Sequence, residues 1–536
     1  MTLSVQAIGA ELLQLRLEFD PLDDALRMVA SDVGELPQMS DAWLAERASR
    51  LSALSAALSG AGTADDLIGA GVARLQALDL GQKLDMRLWA TFVSGYDHSP
   101  LGRVTGGLPS LPLGQAEERE RFTELFLSSG RYVASCIDGT VAAARSQRAP
   151  MAWSVQTAAQ RWKALLAEDG VSLIPEAASA EFRRELSSEF RRRVAPQIAR
   201  YVDMLETTIL PLARPDDQPG LCHIRSGSSD YEQLVVTHTD DFASVDEIHR
   251  LGEAEVTRIR ERICQLTGSQ TPNLDEFLAG QGADFSGVAE VIEHVNAVVA
   301  RARKDFAHLV EMAPVGPLDI EHIPEHLSDF SPIAYYLPSG RGEASGKLLL
   351  NVHRLAKAKR GKELAMLVHE AIPGHHVQFE YAKQAGLPAF RTSAWFNSFI
   401  EGWGLYAEEL AEEADYYQTA AEKIGKLQME LLRASRLVVD TGLHYYGWSS
   451  ARAEEYLQNM TLLKPAFAKS EVRRYTEYPG QALSYTAGRL QLTALREKQR
   501  SRLGQNFDMA DFHRNVLRHG TIPISVLSKV LEETTA

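Results

Sequence analysis

The chain has 536 residues, 45% of them apolar and 24% charged, enough to bury a large core as one large helical domain or as two or three smaller ones. Asp and Glu (71) outnumber Lys and Arg (56), and no basic cluster interrupts the net charge of −15 for long, which argues against nucleic acid and anionic membrane as partners. The opening MTLSVQAIGAELLQLRLEFDPLDDAL lacks a basic n-region and a continuous apolar stretch, other apolar runs such as LLLNV are too short for a bilayer, and Cys136, Cys222 and Cys264 form no C-x-x-C pair; a cytoplasmic location is expected, with neither a disulfide framework nor a thiolate metal site.

Residues 1–95 read as helices, because AWLAERASRLSALSAALSG and ADDLIGAGVARLQALDL repeat Leu and Ala at three- and four-residue intervals with few β-branched residues. Gly, Pro and Ser concentrate at 96–118 and predict a break. Helical periodicity returns over 119–212, where SAEFRRELSSEFRRRVAPQIARYVDMLETTILPLA predicts a long amphipathic helix kinked or restarted near Pro196. A polar loop follows, and then Ser244 with Glu247 has the form of a capping box. Residues 331–352 hold two short apolar runs around a Gly/Ser-rich turn and predict a hairpin. The rest is helical in pattern apart from the turn at 476–481. The expectation is a mainly α protein with a small β-sheet or hairpin beside its motif region, forming one large domain with an N-terminal helical lobe of about 1–220 and a motif-bearing lobe of about 221–536.

The chemistry concentrates in KELAMLVHEAIPGHHVQFEYAKQAG. In the H-E-x-x-H arrangement two histidines one helical turn apart hold zinc while the Glu after the first polarises water. Here the position four after His369 is Pro373, which cannot ligate. On a regular helix His369 and His375 would be about 120° apart, and His369 and His376 would align but stand roughly 10 Å apart along the axis. Pro373 removes a backbone donor and Gly374 permits unusual backbone angles, so a bulge at 371–374 can return a histidine to the metal. His375 is the favoured ligand and His376 the alternative. A third ligand is needed, since catalytic zinc keeps three protein ligands and an open position. Glu401, in SFIEGWGLYAEEL, lies 26 residues after His375, far enough for a second helix to return. Glu408 and Glu409 then either support the ligands or lie on an exposed face. The plainer reading of the His cluster is structural, but uncompensated buried charge is costly.

HEAIPGHHVQ, EGWGLYAEEL, VVDTGLHYYGWS and RYTEYPGQALSYTAGRL together resemble the bacterial family catalogued as domain of unknown function 885, itself distantly similar to the carboxypeptidase Taq and thimet-oligopeptidase groups of gluzincin-like zinc peptidases. The resemblance is specific over about 330–500 and weaker at 225–262. It implies a helical peptidase-like fold with a deep cleft, one zinc ion held by His369, His375 or His376, and Glu401, and Glu370 as general base.

Hydrolysis at zinc also needs a donor for the developing oxyanion. Tyr485 is the first candidate and Tyr478 the second, both flanking the PGQA turn, with Gln481 of that turn as a further substrate contact; packing tyrosines are the equal alternative. Arg473 or Arg474 could clamp a substrate carboxylate, which would make a carboxypeptidase, although surface arginine is commoner. Arg436, Asp440 and His444 recur at four-residue intervals on one helix face. Asp440 could orient a ligand imidazole or pair with Arg436, and His444 could donate to substrate. His238 and His249 read as structural. The sequence therefore predicts a zinc-dependent hydrolase, carboxypeptidase-like, that cleaves peptides or small amides. The alternatives are a non-catalytic metal-binding scaffold and a metal-dependent amidase or esterase on a non-peptide substrate.

Overall fold

The computed structural model describes residues 3–533 except 30, 61–65, 96–97, 271–272, 281–284, 326–327, 329–331, 341–342, 358–360 and 462. It is mainly α-helical with one three-stranded sheet. The chain divides into two compact units. The first comprises Met1–Leu234, Gly442–Ala453 and Lys469–Pro479, and the second Val235–Thr441, Glu454–Ala468 and Gly480–Ala536. No helix among the described residues is long and apolar enough to cross a membrane.

The first unit follows its sequence signals closely. The Val5–Phe19 helix starts where the Ser4 hydroxyl accepts from the Ala7 amide, and Ser179 does the same for Phe182 ahead of a helical run over 180–212. That run restarts beside Pro196, as expected. A π-turn at Phe190–Val194 precedes the Ala195–Met204 helix, and the wider turn accommodates the carbonyl whose partner amide the proline lacks. The predicted break at 96–118 contains a helix, Pro100–Gly107, because Ser99 caps it and Pro100 occupies the first helical position, where a missing N–H costs nothing. Residues 96–97 of that stretch lie outside the described ones. Trp162 against Tyr201 and Phe126 against Phe190 fill the core.

In the second unit the capping box at Ser244 and Glu247 is present, with both reciprocal hydrogen bonds, at the head of the Val245–Thr267 helix. The hairpin expected over 331–352 is β2 (Ala334–Leu337) antiparallel to β3 (Gly346–Leu350), with Tyr336 opposite Leu348. Residues 331 and 341–342 lie outside the described ones. A further strand, β1 (Leu318–His322), runs parallel to β3, so the order is β1-β3-β2 and β2 is an edge. The sequence of β1, LDIEH, has carboxylates at two of its five positions and is mostly exposed, which hides it from a reading that looks for apolar runs.

Five helices carry the site: α1 (Lys362–Glu370), α2 (His375–Gln384), α3 (Asn397–Glu413) and α5 (Ser484–Leu503) of this unit, and α4 (Ala420–His444), which belongs to it as far as Thr441. Helices α3 and α5 cross with their backbones in contact, a Cβ on Gly402 falling 2.6 Å from the Cα of Gly488. Ile259 and Ile263 pack against Ile424, Leu427 and Leu431 of α4 to form an apolar layer.

Candidate metal centre

The break between α1 and α2 is where the local sequence decides the geometry. Helix α1 stops at Glu370, and α2 restarts at His375 after a cis Ile372–Pro373 peptide. Across the gap the Gly374 amide donates to the Val368 carbonyl at 3.0 Å, a turn wider than an α-helix provides. A Cβ on Gly374 would lie 1.8 Å from the His369 carbonyl oxygen, so only glycine fits. The carbonyls at the break are not stranded: Trp403 of α3 donates its indole N–H to those of Pro373 and Gly374 at 3.0 and 3.2 Å, and that of Gly374 also takes the Gln378 amide at 3.1 Å.

This arrangement brings His369, His375 and Glu401 together, with donor atoms of all three within 4.8 Å of one another. Nε2 of His369 is 3.5 Å, and Nε2 of His375 3.7 Å, from the same Glu401 oxygen. Donors around a tetrahedral ion with bonds of about 2.0–2.1 Å would stand about 3.3 Å apart, so the two edges to Glu401 are already close to that length and the two imidazoles would have to draw together from within 4.8 Å.

The far side of each imidazole is fixed as a ligand requires. His369 Nδ1–H donates to Glu408 at 2.9 Å, and His375 Nδ1–H donates to the Gln378 side-chain oxygen at 3.2 Å, so both Nε2 atoms face Glu401. Gln378 is in turn anchored by donating to the Phe399 carbonyl. Burial opposes a charge on His369, but the carboxylates of Glu401 and Glu408 outweigh it and push its pKa up to about 9. Burial would raise the Glu401 pKa, yet the two imidazoles hold it well below the usual carboxylate range. The site therefore favours positive charge at its centre. His369 also fits because residue 404 is glycine: a Cβ there would lie 2.5 Å from the ring.

His376 is turned away. Nε2 takes the Gly316 carbonyl at 3.2 Å and Nδ1 faces the Tyr336 hydroxyl at 3.3 Å, and burial lowers its pKa to about 4. The alternative ligand is thus occupied elsewhere. Glu370 accepts from the Tyr336 amide at 3.0 Å, on the edge of β2 that faces away from β3. Tyr485 of α5 is half-buried and stacks over His369 at a centroid distance of 6.5 Å, with the Arg436 guanidinium 4.6 Å from the other ring partner of that stack, the phenol itself.

Other expected site residues have different partners. Asp440 does not orient a ligand imidazole; its Oδ1 accepts from the Gly480 amide, and Glu408 has the orienting place. Gln481 is buried in a 3₁₀ turn, where its carbonyl accepts from Ser484. His444, Arg473, Arg474 and Tyr478 belong to the first unit. His444 is fully buried, with Nδ1 accepting from the Leu221 amide and Nε2–H donating to the Tyr475 carbonyl, which leaves no ring nitrogen for a substrate. Arg473 lies over Trp153, Arg474 over Tyr475 and 3.7 Å from Glu471, and Tyr478 meets His98 edge-on. His249 bonds Thr441 and His238 bonds Asn397. The contributions of Gln378 and Tyr336 were not foreseen. His-x-x-Gln spacing on one helix face signals the first; the second depends on a pairing between distant segments.

A family profile described as "Bacterial protein of unknown function (DUF885)" matches residues 25–531. None of the curated proteins matches the chain. Among solved structures, a candidate lipoprotein from Colwellia psychrerythraea superposes with a TM-score of 0.85 at 23% identity, covering 99% of both chains. A candidate lipoprotein of unknown function from Shewanella oneidensis gives 0.76 at 16% identity, over 99% of this chain and 100% of its own. Both likenesses establish the fold. Metallocarboxypeptidase 1 of Trypanosoma cruzi reaches only 0.36 at 13% identity, over 99% and 91% of the two chains, too low to bear on the fold or the site.

Proposed function

Since the chain belongs to the bacterial DUF885 family, for which no function is known, its activity has to be read from the site, and we propose that it is a zinc-dependent, metallopeptidase-type hydrolase of peptides or other small amides. The observation that carries this reading is the convergence of His369, His375 and Glu401 within 4.8 Å, with Glu370 next in the chain to the first of them. Two imidazoles and one carboxylate are the donor set of catalytic rather than structural zinc, which is usually enclosed by four protein ligands. Zinc, when bound, supplies Lewis acidity that acidifies water and polarises a carbonyl.

The chain's own groups supply the remaining steps. Glu408 and Gln378 hold the two imidazoles in the tautomer that exposes Nε2. The Glu370 carboxylate, steadied by the Tyr336 amide, accepts a proton from the attacking water and delivers it to the departing amine. The Tyr485 phenol, on the helix beside His369, is the donor for the oxyanion that develops as the carbonyl turns tetrahedral. Support for a peptide substrate comes from this division of labour, which suits an amide with a poor leaving group.

Metal analysis of the wild type beside Glu370→Gln, with a screen of dipeptides and longer peptides, tests the reading. Stoichiometric zinc in both proteins and turnover in the wild type alone are expected. Equal activity in the two would remove Glu370 from the mechanism, and zinc binding without turnover of any peptide or amide would leave a metal-binding scaffold.

A further inference from the structure

Two buried arginines of α4 stand behind the metal site. Arg433 is 3.6 Å from the Glu408 oxygen that holds His369. Arg436, three residues on and so on the same side of the helix, has its guanidinium carbon 4.6 Å from the centre of the Tyr485 ring. Tyr485 in turn lies 6.5 Å from the His369 imidazole, centre to centre, with the two planes 20° apart. Arg436 is 8% exposed and His369 2%, whereas Tyr485 is only half-buried, so the phenol is the most accessible of the three.

The backbone of α5 is placed without Arg436. Gly488, three residues beyond Tyr485, lies so close to α3 that a Cβ on it would fall 1.9 Å from the Ser398 carbonyl oxygen, which sets the first turn of α5 beside the helix of Glu401. That contact leaves the tyrosine side chain its usual choice of rotamers. Burying a guanidinium is unfavourable, and cation–π attraction to a ring face, strongest where water is excluded, offsets part of that. The attraction selects the rotamer in which the ring covers the cation. The same positive charge polarises the hydroxyl and makes it a stronger hydrogen-bond donor.

We propose that Arg436 is a positioning residue for the Tyr485 phenol: its guanidinium sets the ring beside His369 and strengthens the O–H toward the oxyanion that forms at the metal. The proposal rests on the hydrolase reading above and deepens it by giving a buried cation a share in the chemical step. An interaction of this kind is made in the transition state and not in the ground state, so it shows in kcat and leaves KM in place.

The test compares Arg436→Met, which keeps an unbranched stem and removes the charge, with Arg436→Lys, each in the wild type and in a Tyr485→Phe background. For the tripeptide that the zinc-loaded wild type cleaves fastest, kcat and KM are measured. Binding of its phosphinic analogue, whose P–O⁻ group mimics the tetrahedral oxyanion, is measured by calorimetry, and zinc affinity by chelator competition. Tyr485→Phe should lower kcat about 100-fold. Arg436→Met should lower kcat about tenfold and weaken the phosphinate by a similar factor, with KM and zinc affinity unchanged within about twofold. Arg436→Lys should recover part of the loss, because an ammonium supplies the charge without the planar stacking of a guanidinium. In the Tyr485→Phe background the methionine change should alter neither kcat nor phosphinate binding, since the partner it acts through is gone. A merely structural arginine would cost the same factor in both backgrounds or disturb zinc affinity, and either result overturns the proposal, as does an unchanged kcat in Tyr485→Phe or in Arg436→Met. Should the methionine protein not accumulate, the lysine variant carries the same comparison at about threefold. In each of those cases turnover by the wild type leaves the hydrolase intact. Zinc-loaded wild type that cleaves no peptide removes the hydrolase reading, and the role of Arg436 with it.

Discussion

Glu408 accepts the Nδ1–H of His369 at 2.9 Å, and both side chains are almost fully buried. The guanidinium of Arg433 stands 3.6 Å from the same carboxylate oxygen. Glu408→Gln keeps the shape but weakens the acceptor, so zinc affinity should fall roughly 10–100-fold in a chelator competition. Glu408→Ala also takes the carboxylate from Arg433 and should cost about 3–5 kcal/mol of stability in urea unfolding. Unchanged affinity in Glu408→Gln would mean that another group orients His369.

Gly374→Ala should damage both fold and site. The added methyl meets the His369 carbonyl at 1.8 Å, and that backbone atom cannot yield without moving the first imidazole. A loss of about 3 kcal/mol is expected, at the upper end for overpacking, together with loss of zinc. Thermal melting with metal analysis checks it; a stable, zinc-loaded alanine variant would contradict the described backbone.

Gly404→Ala separates the two effects. Its methyl meets the His369 ring rather than backbone, at 2.5 Å. The ring can swing, so stability should drop by only about 1 kcal/mol, whereas turnover should fall about 100-fold as the ligand leaves its place. Circular dichroism and peptide assays on the same preparation distinguish this from global unfolding.

Acid should destabilise the protein through two buried histidines that take no part in the proposed chemistry. Burial lowers His444 to about 4, against the help that the Tyr475 carbonyl gives its charged form, and burial likewise lowers His513, held by Tyr406 and the Leu309 carbonyl, to about 4. An unfolded histidine takes its proton near pH 6.5, before the folded one does. Stability is therefore complete above about pH 6.5 and falls as pH drops toward 4, each residue costing about 2 kcal/mol between pH 7 and 5. Calorimetric melting of the wild type and His513→Gln at the two pH values checks this, and a variant with the wild-type pH slope would refute it.

Much of the helical frame could be read from residue order because its causes are local. Ser4, Ser179, Ser244 and Glu247 announce helix starts through hydrogen bonds made within three residues. Pro196 marks a local π-turn and restart that its missing amide announces, whereas Pro100 misled because a proline can open a helix as well as prevent one. The three converging side chains were legible for a similar reason: Pro373 and Gly374 announce an interruption, and Glu401 follows at a distance that lets a helix return. Nothing local distinguishes His375 from His376. That choice depends on Gly316 and Tyr336, brought in by the sheet, just as the partners of His444 come from Leu221 and Tyr475. The strand LDIEH stayed hidden because pairing with β3, rather than its own composition, makes it a strand.

The neighbouring imidazoles of His375 and His376 face opposite duties, one toward Glu401 and the other toward Gly316 and the Tyr336 ring. A dipeptide has little slack, so it acts as a pivot pin shared by the strand layer and helix α2. Under the proposed function, a displacement of the edge strand would shift His376 and with it the adjoining His375, so contact at β2 and zinc affinity would be coupled.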